Sequence, residues 1–179
     1  MFFTRVFIGM FEFMLAVAMS GFVIALTYRV FITANPDFDM EGEIVKGNVA
    51  VGTLVGAILF AASMILLKGM SSVASMVRLR MAVPSAADYS VWRLFLMSLG
   101  HLAASMMLAM MTVSFTLRLF GRMVKGWKPG EELKKGNMAV GILLSTVVLI
   151  AAIFVGEGVS SLSKALVPQP SIGRVQILR

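Results

Sequence analysis

The stretch EIVKGNVAVGTL at residues 43–54 decides the fold, because nearly the same stretch, ELKKGNMAVGIL, returns at residues 132–143. The two copies align without a gap at an offset of 89 positions (132 less 43). Matches continue at this offset before and after the stretch: Thr27, Arg29 and Phe31 recur as Thr116, Arg118 and Phe120, and Gly69, Ser71 and Ser72 recur as Gly158, Ser160 and Ser161. A constant register on both sides of a loop indicates a tandem duplication.

The composition around the repeat excludes a soluble fold. Of 179 residues, 59% are hydrophobic and 14% charged, and the mean hydropathy is +0.91. Soluble domains have roughly 45–50% apolar and about 25% charged residues, and a chain this short could not bury such an excess in water. A soluble enzyme and a disordered chain are therefore both excluded, and the composition predicts an integral membrane protein.

Four apolar runs have about the length of one membrane-crossing helix, which needs about 20 residues. They cover residues 7–26, 48–67, 94–117 and 138–155. Glu12 interrupts the first run, so we interpret it as a retained span and not as a cleaved signal peptide. The prediction is an all-α integral membrane protein with four transmembrane helices, arranged as two tandem hairpins. Because each unit crosses twice, the repeats run parallel and matched residues lie at equal depth.

The predicted organisation follows the repeat and the loops. Pro36 predicts a turn in the first hairpin, and Pro84 predicts the stop of the second helix. The segments are a first transmembrane hairpin (1–72), a connecting segment (73–93), a second transmembrane hairpin (94–163) and a polar, extended or mobile C-terminal tail (164–179).

Four ionisable residues interrupt the spans or their ends: Glu12, Lys68, His101 and Glu157. Helix rise puts all four toward the side that carries the termini and the middle loop. They can neutralise one another within each hairpin, as Glu12–Lys68 and His101–Glu157, or across the repeat, as Glu12–His101 and Lys68–Glu157. Structural ion pairs are favoured, since a charge in hydrocarbon needs a partner. A proton or ion path through Glu12 and His101 is the alternative.

The repeated Lys-Gly-Asn stretch opens the second and fourth spans. Asn is a good helix-start residue, and small residues four positions apart let helices approach closely in lipid. The residues of this helix-entry and packing motif are Gly47, Asn48, Gly52, Gly56, Gly136, Asn137, Gly141 and Ser145. The alternative is a ring of Asn side chains in an oligomeric pore or a partner-docking surface.

We predict no catalytic residues, no cofactor and no metal site. The chain has no cysteine and a single histidine, and no Ser has a base partner or a phosphate-binding Gly-rich loop nearby. The Met cluster at 106, 107, 110 and 111 is typical of adaptable packing more than of Cu(I) binding.

The doubled stretch resembles the YjfL-like family of small bacterial inner-membrane proteins, a domain of unknown function that often occurs in two copies. The residues that carry the resemblance are Glu43, Lys46, Gly47, Asn48, Ala50 and Gly52, and again Glu132, Lys135, Gly136, Asn137, Ala139 and Gly141. The resemblance implies a four-helix, multi-pass protein of the bacterial inner membrane and supplies no catalytic residue.

Charge counting leaves the orientation open, because the 16 Lys and Arg residues divide equally between the two sides; a cytoplasmic N-terminus is weakly favoured. The net charge of +7 suits lipid headgroups better than nucleic acid. The expected partners are the bilayer and either further copies of the chain or other membrane proteins. The leading hypothesis is a non-enzymatic membrane scaffold or accessory subunit, and the alternative is an ion- or proton-conducting channel or transporter subunit.

Overall fold

The computed structural model describes residues 2–33, 38–82 and 91–166, which form helices joined by short turns. The prediction of an all-α fold is confirmed for these residues. The helices are α1 (Phe2–Thr27), continued by a π-helical segment (Tyr28–Thr33), α2 (Met40–Val45), α3 (Val49–Ala82), α4 (Val91–Met123), α5 (Pro129–Lys134) and α6 (Met138–Leu166).

The four long helices α1, α3, α4 and α6 are each long and apolar enough to cross a membrane, which confirms the predicted number of spans. They exceed the predicted runs. The second apolar run ends before Lys68, yet α3 continues without a break to Ala82. Its 34 residues correspond to about 51 Å at the helical rise, against about 30 Å of hydrocarbon in a bilayer. Helix α3 is therefore long enough to extend beyond the hydrocarbon, at the end that carries the connection to α4.

Part of the predicted organisation falls outside the described residues. This applies to the turn at Pro36, the stop at Pro84 and residues 167–179 of the predicted tail. The predicted connecting segment, 73–93, is helical at both of its ends, because α3 reaches Ala82 and α4 begins at Val91.

Helix α3 is the centre of the bundle. It packs most extensively against α6, then against α4 and α1, and α4 also packs against α6. Half of the most apolar window of α3 is buried, against 6% for α1. Side chains that are fully or almost fully buried at these contacts include Val51, Leu54, Ile58 and Ile65 from α3, Val113 from α4 and Val148 from α6.

The side chain of Ser105 in α4 packs directly on the backbone of α3 at Gly69. A Cβ built on Gly69 would lie 2.8 Å from Cβ of Ser105, and Ser105 is almost fully buried. Lipid tails are as apolar as the helix surfaces, so helix association in a bilayer depends on this kind of van der Waals packing. Glycine at position 69 therefore determines how closely α4 docks on α3.

Candidate functional site

The first Lys-Gly-Asn motif connects α2 to α3 through one tight turn. The N–H of Gly47 donates to the carbonyl of Ile44 at 2.9 Å, and the N–H of Asn48 donates to the carbonyl of Glu43 at 3.0 Å. This pair of bonds is the Schellman motif, which needs a left-handed residue after the helix end. Gly47 supplies it with φ of +81°. The side chain of Asn48 then starts α3, where Oδ1 accepts from the N–H of Val51 at 3.2 Å.

The second motif repeats this geometry between α5 and α6. Gly136 has φ of +76°, its N–H donates to the carbonyl of Leu133, and the N–H of Asn137 donates to the carbonyl of Glu132. Oδ1 of Asn137 accepts from the N–H of Val140 at 3.4 Å. Both Asn residues act as helix-start residues, as their residue type predicts.

A carboxylate organises the side chains of each motif. In the first, Glu43 accepts from Nζ of Lys46 at 2.8 Å and from Nδ2 of Asn48 at 3.0 Å. Glu132 accepts in the same way from Lys135 at 2.7 Å and from Asn137 at 3.0 Å. These bonds favour the charged form of each carboxylate. They hold the pKa of Glu43 and of Glu132 below the ordinary value, with the Lys bond as the larger cause.

The two motifs contact each other at one end of the bundle. Nδ2 of Asn48 also donates to the carbonyl of Leu133 in α5 at 2.8 Å. Nζ of Lys134 lies 5.4 Å from the ring centroid of Phe38, within range of a cation–π interaction. Asn48 thus links the start of α3 to α5, which residue spacing alone does not reveal.

The packing glycines differ between the two motifs. A Cβ built on Gly141 would lie 2.7 Å from the carbonyl oxygen of Ala50 and 2.8 Å from its Cα, so α3 and α6 touch backbone to backbone here. Ser145, one turn on, is buried. Gly52 and Gly56 make no such approach, since a Cβ on either would meet nothing within 4 Å. The expected close contact is therefore present at Gly141 and absent within one chain at Gly52 and Gly56.

Two ion pairs lie toward the opposite end of the bundle. Nζ of Lys68 donates to Oε1 of Glu157 at 2.7 Å, which joins α3 to α6 and corresponds to the pairing across the repeat. The ion-pair partner of Glu12 is neither Lys68 nor His101, the two partners that the sequence predicts. Its carboxylate accepts from Nε and Nη2 of Arg78, both at 2.6 Å.

Arg78 is the residue that the charge analysis missed. It lies past the second apolar run, whereas the partners predicted for Glu12, Lys68 and His101, belong to the spans or their ends. The repeat offset holds a usable signal, because position 12 corresponds to His101 and position 78 corresponds to Val167. At the positions that correspond to Glu12 and Arg78, the sequence therefore has His in place of the acid and Val in place of the base that binds it.

His101 lines a cavity of about 320 Å³ between α3, α4 and α6. Its other walls are mainly apolar and include Met76, Met97, Ser105 and Leu162. The carbonyl of His101 accepts from Oγ of Ser105 at 2.8 Å. Within the described part of the chain, no three His, Cys, Asp or Glu side chains are close enough to hold a metal ion.

A family model described as Domain of Unknown Function (DUF350) matches residues 3–159. The chain belongs to the DUF350 family. No curated protein and no solved structure matches it. The match extends from α1 into α6.

For this DUF350 chain, both motifs and all four predicted intramembrane charges lie inside the matched region. These contacts hold the helices to one another. Each motif ends one helix and starts the next with its polar groups satisfied. The Glu12–Arg78 ion pair joins α1 to α3, and the Lys68–Glu157 ion pair joins α3 to α6.

Proposed function

We propose that this protein is a non-enzymatic scaffold or accessory subunit of the bacterial inner membrane, which packs with copies of itself or with other membrane proteins. We also propose that it arose by tandem duplication of a helical hairpin. The proposal rests on a difference in exposure between two helix faces, one on α3 and one on α6. Their residues correspond at the offset of 89 positions.

The buried face is on α3. Gly69 packs against Ser105 of α4, and Ser72, one turn further, is only 8% exposed. These residues recur on α6 as Gly158 and Ser161. There the same face is open: a Cβ on Gly158 would meet nothing within 4 Å, and Ser161 is exposed.

An exposed Gly and Ser on a membrane-crossing helix are typical of helix contacts, since small residues give lipid little to pack against. Toward the middle of α6, the same face carries the large side chains of Ile150 and Phe154. Both are exposed and can pack against lipid tails. We therefore expect the contact with another chain at the end of α6 that carries Gly158 and Ser161.

The buried centre of the bundle also supports packing over conduction by a single copy. The α3–α6 seam holds Val51, Ile58, Ile65, Val148 and Ala152 with almost no exposed surface. A water-filled path between these helices would need polar lining and open volume, neither of which this seam offers.

Cysteine crosslinking tests the proposal, because the chain has no cysteine of its own. Ser161→Cys is expected to give an intermolecular adduct in native membranes treated with an oxidant or a short bis-maleimide. Ser72→Cys is the matched control, since its position on α3 is buried, and it should stay monomeric. If Ser161→Cys also stays monomeric under both treatments, the proposed contact between two copies of this chain does not exist.

Conduction remains the second candidate, and the cavity beside His101 is the observation that favours it. Proton and cation flux into proteoliposomes separates the two functions. Conduction predicts flux that Glu12→Gln and His101→Ala reduce, whereas the scaffold predicts no flux above that of empty liposomes under any gradient.

A further inference from the structure

The seam between α1 and α3 contains two neighbouring cavities. An upper groove of about 340 Å³ lies between residues such as Met19 and Val23 of α1 and Phe60 of α3. A lower cavity of about 230 Å³ lies beside Glu12 and Arg78. Met70 lines both, so the two lie end to end along the seam, and we call them together the α1–α3 slot. Their combined size falls in the range of ligand sites, roughly 300–1,000 Å³.

The two ends of the slot differ in chemistry. The upper groove is almost entirely apolar, with Ser20 and Ser63 as its only hydroxyl-bearing lining residues. The lower cavity is lined by Glu12, Arg78, Ser71 and Ser75 together with three apolar side chains. An apolar groove that leads into a charged pocket is complementary to an amphiphile.

The depth of each end matches the orientation of a membrane lipid. Arg78 lies 29 residues after the start of α3 at Val49, about 44 Å along the helix. This length matches the roughly 40–45 Å of a bilayer with its headgroup regions, which places Arg78 at headgroup level. Phe60 lies about 17 Å along the helix, inside the hydrocarbon. The slot therefore presents its charges to headgroups and its groove to acyl chains.

The charged end offers a cation and acceptors side by side. Arg78 donates to Glu12 through Nε and Nη2, which leaves Nη1 to donate to a phosphate oxygen. The hydroxyls of Ser71 and Ser75 donate to the carbonyls of Leu67 and Ser71, so their oxygens remain as acceptors. With the Glu12 carboxylate they suit a primary ammonium group.

We propose that the α1–α3 slot binds one aminophospholipid of the phosphatidylethanolamine class, with its phosphate on Arg78, its ammonium on Glu12 and one acyl chain in the groove. The weak packing of α1 agrees with this. Only 6% of its most apolar window is buried by protein, and an acyl chain in the groove would supply van der Waals contacts between α1 and α3.

Native mass spectrometry tests the proposal on the full-length protein. The protein is purified from nanodiscs with equal amounts of phosphatidylethanolamine, phosphatidylglycerol and phosphatidylcholine, and retained lipid is counted. The expected result is one retained phosphatidylethanolamine per chain. Equal retention of the three lipids, preference for either of the other two, or no retained lipid would overturn the proposal.

Two variants locate the lipid. The double variant with Glu12→Gln and Arg78→Gln removes both charges. It is expected to weaken lipid retention about tenfold or more, because it removes at least one charge-assisted hydrogen bond to the lipid. Lys68→Gln with Glu157→Gln is the matched control, because it neutralises an ion pair that lines neither cavity, and it should retain the lipid. Equal retention in the two double variants would contradict the site.

A third variant keeps the test decisive if removal of the Glu12–Arg78 pair prevents folding. Ser63→Phe fills the upper groove and leaves the charged end intact. It is expected to release the lipid while the protein keeps its helix content. Retention of phosphatidylethanolamine at the wild-type level in a folded Ser63→Phe protein would overturn the proposal.

Discussion

Replacement of Gly141 by alanine is expected to push α3 and α6 apart. The new Cβ would lie 2.7 Å from the carbonyl oxygen of Ala50, whereas ordinary contacts begin at 3.4 Å. The two helices, which form the most extensive helix–helix contact of the described residues, must therefore separate by about 0.7 Å (3.4 less 2.7), or bend, at this point. Such overpacking costs about 1–3 kcal/mol.

Gly52→Ala is the matched control for this change. Gly52 is the fourth residue of α3 and Gly141 the fourth residue of α6, so both variants gain the same helix propensity, at most about 0.8–1 kcal/mol. A Cβ at position 52 meets nothing within 4 Å. The difference between the two variants therefore isolates the packing cost. We expect Gly141→Ala to be less stable than Gly52→Ala by about 1–3 kcal/mol, about 5- to 150-fold in the unfolding equilibrium.

Equilibrium unfolding in mixed detergent micelles, followed by circular dichroism, measures this difference. A second substitution, Ala50→Gly, is not expected to rescue Gly141→Ala, because the clash is with backbone atoms that glycine keeps. Equal stabilities for Gly141→Ala and Gly52→Ala, or a fully rescued double variant, would refute the reasoning that α3 and α6 meet backbone to backbone.

Further predictions concern the motif side chains. Asn48→Ala and Asn137→Ala each remove a helix cap worth about 1 kcal/mol, but Asn48 also binds the carbonyl of Leu133, so Asn48→Ala is expected to cost about 1 kcal/mol more in the same unfolding assay. The pKa of Glu43 is lowered from 4.5, so the stability that its bonds provide is present above that pH and is lost as the pH falls through the lower folded-state pKa. The melting temperature of the wild type is therefore expected to fall more steeply on acidification than that of Glu43→Gln, and parallel curves would contradict this. Gly47→Ala forces a side chain into a left-handed backbone with φ of +81°, and should cost about 1–2 kcal/mol in thermal unfolding, whereas Gly56→Ala, whose Cβ meets nothing within 4 Å, should cost none.

The sequence was sufficient for the parts of the fold that depend on local chemistry. Apolar runs predicted the number of membrane-crossing helices, and Lys-Gly-Asn predicted where α3 and α6 begin, because a helix end, a left-handed glycine and a cap act within a few residues. The π-helical continuation of α1 was not predicted, since it does not follow from hydropathy. The extension of α3 to Ala82, past the second apolar run, agrees with the prediction that the second helix continues until Pro84 stops it.

The tertiary partners were harder to predict, because equal sequences had unequal surroundings. Gly52 and Gly141 occupy matched positions, yet only Gly141 contacts Ala50 of the neighbouring helix. Glu12 pairs with Arg78 because the length of α3 brings that side chain within reach, and helix length was the quantity that the apolar runs underestimated. A repeat predicts local structure twice but does not state which face meets which helix.

The central claim is that this DUF350 protein works by association with other chains in the membrane. The most direct test is the mass of the native complex released from its own membrane into lipid nanodiscs without detergent exchange. The account predicts a defined complex that holds more than one copy of the chain, or one copy with a stoichiometric membrane partner. A single chain with bound lipid and no other protein would contradict it.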